Sequence, residues 1–340
     1  MRLLPSPFTA SGEWLRGNLH LHSTNSDGSM PPDRLAAHYA NAGWDFLAFT
    51  DHRKVTELPE RITGGVPITL IRGTEANTGP RSTAAGTNFH IIGLGVQEPI
   101  APNDDLTGAR AAQWVVDAIR EQGGEATIAH PYWSGLTLEE VAAVRGHLAI
   151  EVYNADTEVH IGRGVSSALW DDLLTRGIET WGIAVDDCHR PAHDSLRGWT
   201  VVRAADRSAS AIIAALRAGH FYASCGPEIH DVSVEFWETA TTDQGTPYTG
   251  RVLVRCSPVR TVSLMADPTK GGRINAGTFG MARNARRLRT RSGHGPEGIP
   301  DGELLTGSEF FLTGQERYVR VQVEDAQGRC AWTNPLFMRD

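Results

Sequence analysis

The first two thirds of the chain alternate short apolar runs with amphipathic segments. Seven of these runs have the length and composition of β-strands: NLHLH, DFLAFTDH, ITLIRGTE, FHIIGLG, EATIAH, LAIEVYN and TWGIAVDDCH. Segments of helical period separate several of them. This order is typical of βα units, so it predicts an α/β fold with a mainly parallel sheet.

Four of the separating segments carry recognisable helix ends. Proline favours the first turn of a helix, a Thr-x-x-Glu box caps its beginning, and glycine ends it. The first helix is expected to start at Pro31 and Pro32 and to stop at Gly43, and the second to start at Thr107 and to stop at Gly123 and Gly124. The third starts with the box Thr137–Glu140, and the fourth starts at Ser208 and stops at Gly219.

The pattern changes after residue 227. The runs VSVEF, RVLVRC, TVSLMA, EFFLT and YVRVQVED alternate apolar and polar residues, which predicts a small antiparallel β domain. We therefore divide the chain into residues 1–227 and residues 228–340. The segment Lys270–Arg291 holds seven basic and no acidic residues among many glycines, which predicts a mobile, solvated loop. The alternative is that this loop overhangs an active site and attracts anions.

Composition narrows the class of protein. The hydrophobic share is 40% and the net charge is −8, which favours a globular protein without a general nucleic-acid surface. No apolar stretch is long enough to cross a membrane, so we expect a soluble, cytoplasmic protein. The four cysteines form no CxxC pair, which predicts free thiols. The oligomeric state stays open.

Histidines and carboxylates follow the predicted strands. His20 and His22 flank a leucine in the first run, so a strand would point both imidazoles to one face. A partly wet strand surface is the alternative explanation for such a pair. The later runs contribute His52, Glu75, His90, His130, Asp187 and His189, most of them at C-terminal strand ends. Such ends converge on one face of a barrel or a doubly wound sheet.

Imidazole and carboxylate ligands without thiolates suit zinc, manganese or iron. With Asp27, in the Gly/Ser turn after the first run, the set holds six histidines and three carboxylates. They exceed one coordination sphere, which predicts two or three divalent ions with one carboxylate bridging a pair. Two ions about 3.5–4 Å apart lower the pKa of a bridging water and stabilise both oxygens of a displacement. The pattern therefore predicts a hydrolase.

The motifs in their order resemble those of the PHP family, the polymerase and histidinol phosphatase metal-dependent phosphoesterases. They are the segment from NLHLHSTNSDG to FLAFTDH, then GTE, FHIIGLG, AHP and DDCH. The resemblance implies a distorted (β/α)7 TIM-like barrel. SAIIAALRAGHFYASCGPEIHDVSVE and GRCAWTNPLF are similar to the CehA/McbA-type branch. In that branch a small domain follows the barrel, expected here as an antiparallel β-sandwich.

The resemblance also implies roles for individual residues. The first ion would be held by His20, His22, Glu75 and Asp187, the second by Glu75, His90 and His130, and the third by Asp27, His52 and His189. Glu75 would be the bridge, and Asp51 would fix an imidazole, so Glu75, Asp187 and Asp51 are the expected catalytic residues. The candidate substrate contacts are Arg53, Tyr132, Asn154 and His193.

Three functions are compatible with these residues. The favoured one is a phosphoesterase that cleaves a small phosphate ester through a metal-bridging hydroxide. The second is a carbamate or carboxylic ester hydrolase with the same metal centre, which would need an apolar cleft rather than convergent cations. The third, a non-catalytic metal-binding module, would lack ligands or have a saturated site. The expected partner is a small molecule.

Overall fold

The computed structural model describes residues 2–3, 6–57, 61–62, 65–78, 88–241, 247–276, 285–293 and 302–339. The helices described are α1 Pro32–Asn41, α2 Gly108–Glu121, α3 Leu138–Ala143, α4 Ala155–Ile161, α5 Ser167–Thr175, α6 Pro191–Asp194 and α7 Ala209–Arg217. The strands described are β1 Arg2–Leu3, β2 Glu13–Asn18, β3 Phe46–Phe49, β4 Arg61–Ile62, β5 Ile68–Asn77, β6 His90–Leu94, β7 Glu125–Ile128, β8 Ala149–Asn154, β9 Trp181–Val185, β10 Trp199–Ala204, β11 Phe221–Ser224, β12 Ile229–Thr241, β13 Pro247–Val259, β14 Thr261–Asp267, β15 Gly272–Asn275, β16 Ala285–Gly293, β17 Gly302–Leu312, β18 Tyr318–Glu324, β19 Cys330–Thr333 and β20 Leu336–Arg339.

The chain divides into two compact units. One is Ser11–Ala223, and the other combines Met1–Ala10 with Ser224–Asp340. The domain division at residue 227 stays a prediction. In the described part of the chain, no helix combines the length and apolar character needed to cross a membrane.

The first unit is built on a mixed sheet. Its strand order is β11-β10-β2-β3-β5-β6-β7-β8-β9, with β4 beside β5. The pairs β2–β3, β3–β5, β7–β8 and β8–β9 are parallel, whereas β10–β2, β5–β6 and β6–β7 are antiparallel. The parallel pairs that the sequence predicted are present, and the antiparallel pairs make the sheet mixed. Among the described residues the strand order is an open path, so the predicted TIM-like barrel is not established.

The helix ends follow the sequence rules. The capping box is present at α3, where the side chain of Thr137 accepts from the backbone of Glu140 and the Glu140 side chain accepts in return. Ser208 caps α7 by accepting from the backbone N–H of Ala211. Pro32 opens α1. These predicted starts are confirmed because local hydrogen bonding and proline geometry decide them.

The sheet buries side chains on both faces. Along β3, Phe46 and Ala48 belong to one apolar cluster, whereas Leu47 and Phe49 belong to another. This alternation is the period of two of a strand with two covered faces. The core therefore lies on both sides of the sheet and leaves the strand ends for polar residues.

The second unit contains only antiparallel pairs among its described strands. One sheet has the order β12-β13-β17-β16. In the other pairs, β14 joins β15 and β18, β18 joins β19 and β20, and β20 joins β1. The predicted antiparallel β character is confirmed, while the sandwich arrangement stays a prediction.

The basic segment Lys270–Arg291 is not a single loop. Residues 272–275 form β15 and residues 285–291 belong to β16. Residues 277–284 lie outside the described part of the chain. The prediction of one solvated loop was therefore wrong where the strands pair, because alternation within a glycine-rich basic segment was too weak a strand signal to read.

Candidate metal centre

The candidate ligands gather at one end of the first unit's sheet. Strand β6 runs antiparallel to β5, which places its first residue, His90, opposite Asn77 at the C-terminal end of β5. The other candidates lie after β2 (His20, His22 and Asp27), after β3 (His52), near the C-terminal end of β5 (Glu75), after β7 (His130) and after β9 (Asp187 and His189). The change of strand direction at β6 therefore preserves the convergence that parallel strands would give.

Strand alternation does not explain the first histidine pair. Strand β2 ends at Asn18, and Leu19 and Leu21 belong to different apolar clusters. The chain therefore leaves strand geometry before the pair. The two imidazoles still converge, because the Nε2 atoms of His20 and His22 lie 3.1 Å apart.

Glu75 lies between two groups of imidazoles. Its Oε2 is 3.3 Å from Nε2 of His20 and 3.1 Å from Nε2 of His22. Its Oε1 is 2.6 Å from Nδ1 of His90 and 3.6 Å from Nε2 of His130. The side chain is 1% exposed, so the carboxylate is fixed among these rings. Nδ1 of His52 also lies 3.1 Å from Oε2. Each oxygen therefore faces a different set of nitrogens, as a bridging ligand requires.

Asp187 joins His20 and His22 in the first group, His90 and His130 form the second group, and Glu75 contacts both. Oδ1 of Asp187 lies 3.1 Å from the Nε2 atoms of both His20 and His22. The backbone N–H of Asp187 donates to the carbonyl of His20, and that of His22 donates to the carbonyl of Cys188. These bonds hold the segment after β9 against the segment after β2, which fixes the spacing of the ligand atoms.

A third group is more open to solvent. Asp27 is 45% exposed, with Oδ2 at 3.4 Å from Nε2 of His52 and Oδ1 at 3.6 Å from Nε2 of His189. Nδ1 of His22 also lies 3.6 Å from Asp27, so His22 faces the first group with one nitrogen and this group with the other. The third group therefore contains four residues rather than the three that the sequence indicated.

The spacing of these atoms fits divalent ions. A tetrahedral ion with bonds of about 2.0–2.2 Å holds its ligand atoms about 3.3–3.6 Å apart, close to the 3.1–3.3 Å among His20, His22 and Glu75. Among the described residues, Oδ1 of Asp187 and Nδ1 of His52 are buried without a hydrogen bond. Buried polar atoms normally have partners, so these orphaned atoms fit the role of metal ligands.

The pKa values of the candidate ligands also support a metal site. Burial alone would lower the pKa of His22, but the neighbouring carboxylates of Asp187 and Glu75 outweigh it and raise the pKa to about 9. Burial likewise opposes ionisation of Glu75, but His90 and His20 hold its pKa well below its usual value. Without bound ions, protons on His20, His22 and His130 would therefore offset the carboxylate charge, and bound ions would replace those protons.

Two candidate ligands adopt unusual backbone conformations. His130 has φ of 26° and Asp187 has φ of 56°, a region that non-glycine residues seldom occupy. Arg53, directly after His52, has φ of 54°. Backbone strain of this kind is concentrated at functional sites, where the surrounding structure maintains it.

Glu151 is a buried acid that the sequence analysis missed. Its Oε1 accepts from Nδ1 of His20 at 2.7 Å. Its Oε2 accepts from the backbone N–H of His130 at 2.7 Å and from Nδ2 of Asn154 at 2.8 Å. Glu151 thus orients one residue from each of the first two groups. The sequence signal that could have identified Glu151 is its place between apolar residues in the predicted strand LAIEVYN.

Asn154 has a different environment from the one expected of a substrate contact. It is fully buried, and its Nδ2 also donates to Oδ2 of Asp187 at 3.1 Å. Its Oδ1 accepts from the backbone N–H of Thr157 and caps α4. Because both ends of the amide are occupied, Asn154 serves to position Glu151 and Asp187.

Asp51 differs from its predicted role as well. Its carboxylate accepts from the backbone N–H and hydroxyl of Ser23, each at 2.8 Å, and from the hydroxyl of Ser26 at 2.7 Å. The hydroxyl of Thr56 also donates to it. Among the described residues these partners are not imidazoles, so Asp51 holds the turn that carries Asp27 instead of fixing a ligand ring directly.

The remaining substrate candidates are exposed. Arg53 and His193 lie on the surface, and Tyr132 is 51% exposed. The backbone N–H of Arg53 donates to the carbonyl of Glu75, which fixes its position beside the first two groups. His193 belongs to α6, where its carbonyl accepts from Nε of Arg197. Their roles in binding stay predictions.

Comparisons with known proteins found similarity to a curated enzyme and to solved structures. No protein-family model matches the chain. Over 123 residues it is 32% identical to phosphoribosyl 1,2-cyclic phosphate 1,2-diphosphodiesterase of Eggerthella lenta, a match that covers 33% of this chain and 45% of that protein. The chain thus spans less than half the length of this relative.

Among solved structures, the fold matches a two-domain protein of Bacteroides vulgatus that contains a predicted PHP-like metal-dependent phosphoesterase. The TM-score is 0.50 and the identity is 16%, with 98% of each chain covered. An amidohydrolase of Chromobacterium violaceum has a TM-score of 0.36 and 20% identity, with 52% of this chain and 89% of that one covered, a likeness too low to support a conclusion. The two-domain α/β fold is shared with the first of these structures.

Asp27→Ala is expected to lose one equivalent of metal while the first two groups keep theirs. Asp27 faces His52 and His189 but contributes to neither of the groups that share Glu75. Because the side chain is half exposed, folding should change little. Native mass spectrometry of both proteins loaded with metal gives the count, with Asp33→Ala, an exposed acid of α1, as the matched control. Equal stoichiometry in wild type and Asp27→Ala would show that Asp27 is not a ligand.

Proposed function

We propose that this chain is a metal-dependent phosphoesterase that hydrolyses a small phosphate ester. The observation that carries the proposal is the position of Glu75, whose two oxygens face separate sets of imidazole nitrogens: His20, His22 and His52 on one side, His90 and His130 on the other. A buried carboxylate shared in this way is what a pair of adjacent ions needs. The phosphoesterase names of the two relatives support the choice of reaction. The CehA/McbA-type branch is part of the same proposal.

The proposal assigns the residues to two ions that share Glu75 and to a third. The first would be held by His20, His22, Glu75 and Asp187, the second by Glu75, His90 and His130, and the third by Asp27, His52 and His189. Bound zinc, manganese or iron would supply a Lewis acid that activates water and stabilises charge on the phosphoryl oxygens.

The exposure of the candidate ligands indicates the side from which the substrate reaches the site. His20 and His130 are buried, whereas His90, His52 and His189 are 12%, 21% and 25% exposed. The substrate therefore approaches from the side of Asp27 and His189. Arg53 lies next to His52 on this exposed side, and we assign it to the phosphate because a guanidinium binds two phosphate oxygens at once.

Metal removal and a substrate panel test the proposal. Protein stripped with a chelator should be inactive, and zinc or manganese should restore hydrolysis of phosphomonoesters or phosphodiesters, including a cyclic phosphodiester. Carbamate and carboxylic esters of the same alcohols serve as the comparison under the same conditions. Hydrolysis of the carbamate or carboxylic esters alone would overturn the proposal in favour of the alternative ester hydrolase.

A further inference from the structure

Two exposed aromatic residues directly follow a candidate metal ligand. Tyr132 and Trp133 come after His130 and Pro131, and they are 51% and 42% exposed. Large aromatic side chains usually bury most of their surface, so an adjacent exposed pair needs an explanation. Trp114, on α2, is exposed to a similar extent at 47% and offers a comparison within the same unit.

Trp133 borders the second group of ligands. Its ring centroid lies 4.8 Å from that of His130 and 5.8 Å from that of His90. The ring planes make angles of 79° and 71° with the two imidazoles, which is the edge-to-face arrangement. A molecule that reaches these two histidines therefore comes within contact distance of the exposed part of the indole.

Tyr132 is the residue before Trp133 in the chain. The guanidinium carbon of Arg163 lies 5.5 Å from the centroid of its ring, within the range of a cation–π contact. This segment therefore carries two exposed aromatic rings, one of them in contact with a cation. We call Tyr132, Trp133 and Arg163 the aromatic wall.

Hydrogen bonds hold the aromatic wall in place. The backbone N–H of Ser134 donates to the carbonyl of His130, and the Ser134 hydroxyl lies 3.0 Å from Nδ1 of the same histidine. The backbone N–H of Tyr132 reaches the hydroxyl of Ser166 at 3.3 Å. The aromatic pair is thus positioned by the same turn that positions a candidate ligand, and such preorganisation lowers the cost of binding.

We infer that the alcohol part of the ester substrate carries a planar ring, which packs against the aromatic wall while the phosphate reaches the metal centre. The inference rests on the proposed function and adds a substrate class to it. An aromatic side chain favours a planar ring over a saturated ring of similar size, because stacked and edge-to-face contacts add to the effect of buried area.

Three phosphomonoesters with alcohols of similar acidity separate these effects: 2-phenylethyl, 2-cyclohexylethyl and ethyl phosphate. For the metal-loaded wild type, we expect kcat/KM to be highest for the phenyl ester, with the cyclohexyl ester about fivefold to tenfold lower and the ethyl ester lower still. Trp133→Leu should remove most of the phenyl-over-cyclohexyl preference, because leucine keeps apolar area without a ring. Trp114→Leu should leave that preference unchanged.

Binding provides a readout that does not depend on turnover. Calorimetry with the metal-loaded protein should show phenylphosphonate binding about fivefold to tenfold more tightly than cyclohexylphosphonate, with the difference lost in Trp133→Leu. Metal content and melting temperature of that variant control for a loss of structure. Equal affinities for the two phosphonates in the wild type would overturn the inference, whether or not any ester is hydrolysed. Absence of phosphate ester hydrolysis together with a preserved binding preference would overturn the proposed function alone.

Discussion

Glu75→Gln is expected to lower metal content by more than half and phosphatase activity by about 10³-fold. The amide keeps the shape of the side chain but loses the charge that both groups of imidazoles face. One of its two terminal atoms becomes an NH₂ group that cannot bind an ion, so one of the two ions loses a ligand. Metal analysis and kcat on the purified variant measure both effects.

A matched control is available in the second unit. Glu309 is fully buried and pairs with Arg251 at 2.6 Å, so Glu309→Gln also places an amide at a buried acid site. This control is expected to lose stability but to keep its metal. If Glu75→Gln retained full metal and near-normal turnover, the bridge assignment would be wrong.

Glu151→Gln is expected to weaken metal binding by about 10–100-fold although Glu151 is not a predicted ligand. The carboxylate accepts from three donors: Nδ1 of His20, the backbone N–H of His130 and Nδ2 of Asn154. A glutamine has one acceptor oxygen and an NH₂ group that would face another donor. The orientation of His20, or the strained backbone at His130, would therefore lose support.

Competition with a coloured chelator measures the affinity, and the absorption spectrum of the cobalt-loaded protein reports the coordination of the ion. The spectrum should change in Glu151→Gln and stay the same in Glu309→Gln, even if both variants have the same melting temperature. A normal spectrum and a normal affinity in Glu151→Gln would show that Glu151 supports the fold without orienting the ligands.

The sequence predicted many local features because short-range rules decide them. The capping box at Thr137–Glu140 and the cap at Ser208 depend on residues within one helical turn. The candidate ligands were recognisable by residue type and by their places after apolar runs. Their grouping came from the family resemblance, and the structure places them within reach of one another.

Other features depend on which strands become neighbours. The direction of β6, which an apolar run does not reveal, makes the sheet mixed. Glu151 lies in the middle of a strand run, where an acid normally indicates an exposed face, and only the packing of β7, β8 and β9 buries it against His20. Asp51 and Asn154 were chosen for their places beside strand ends, but the direction of a side chain depends on partners distant in the chain.

Asp186 and Asp187 show which features the sequence determined and which the tertiary structure decided. The sequence alone determined that two adjacent carboxylates follow a buried strand, because residue type and hydrophobic pattern are written in the chain. Only the tertiary structure decided their roles. Asp186 accepts from the hydroxyl of Tyr39 and from the backbone N–H of Gly198, whereas the positive φ of Asp187 turns its carboxylate toward His20 and His22. Neighbours along the chain differ here because hydrogen-bond partners from remote segments, unlike local periodicity, are fixed only when the strands pair.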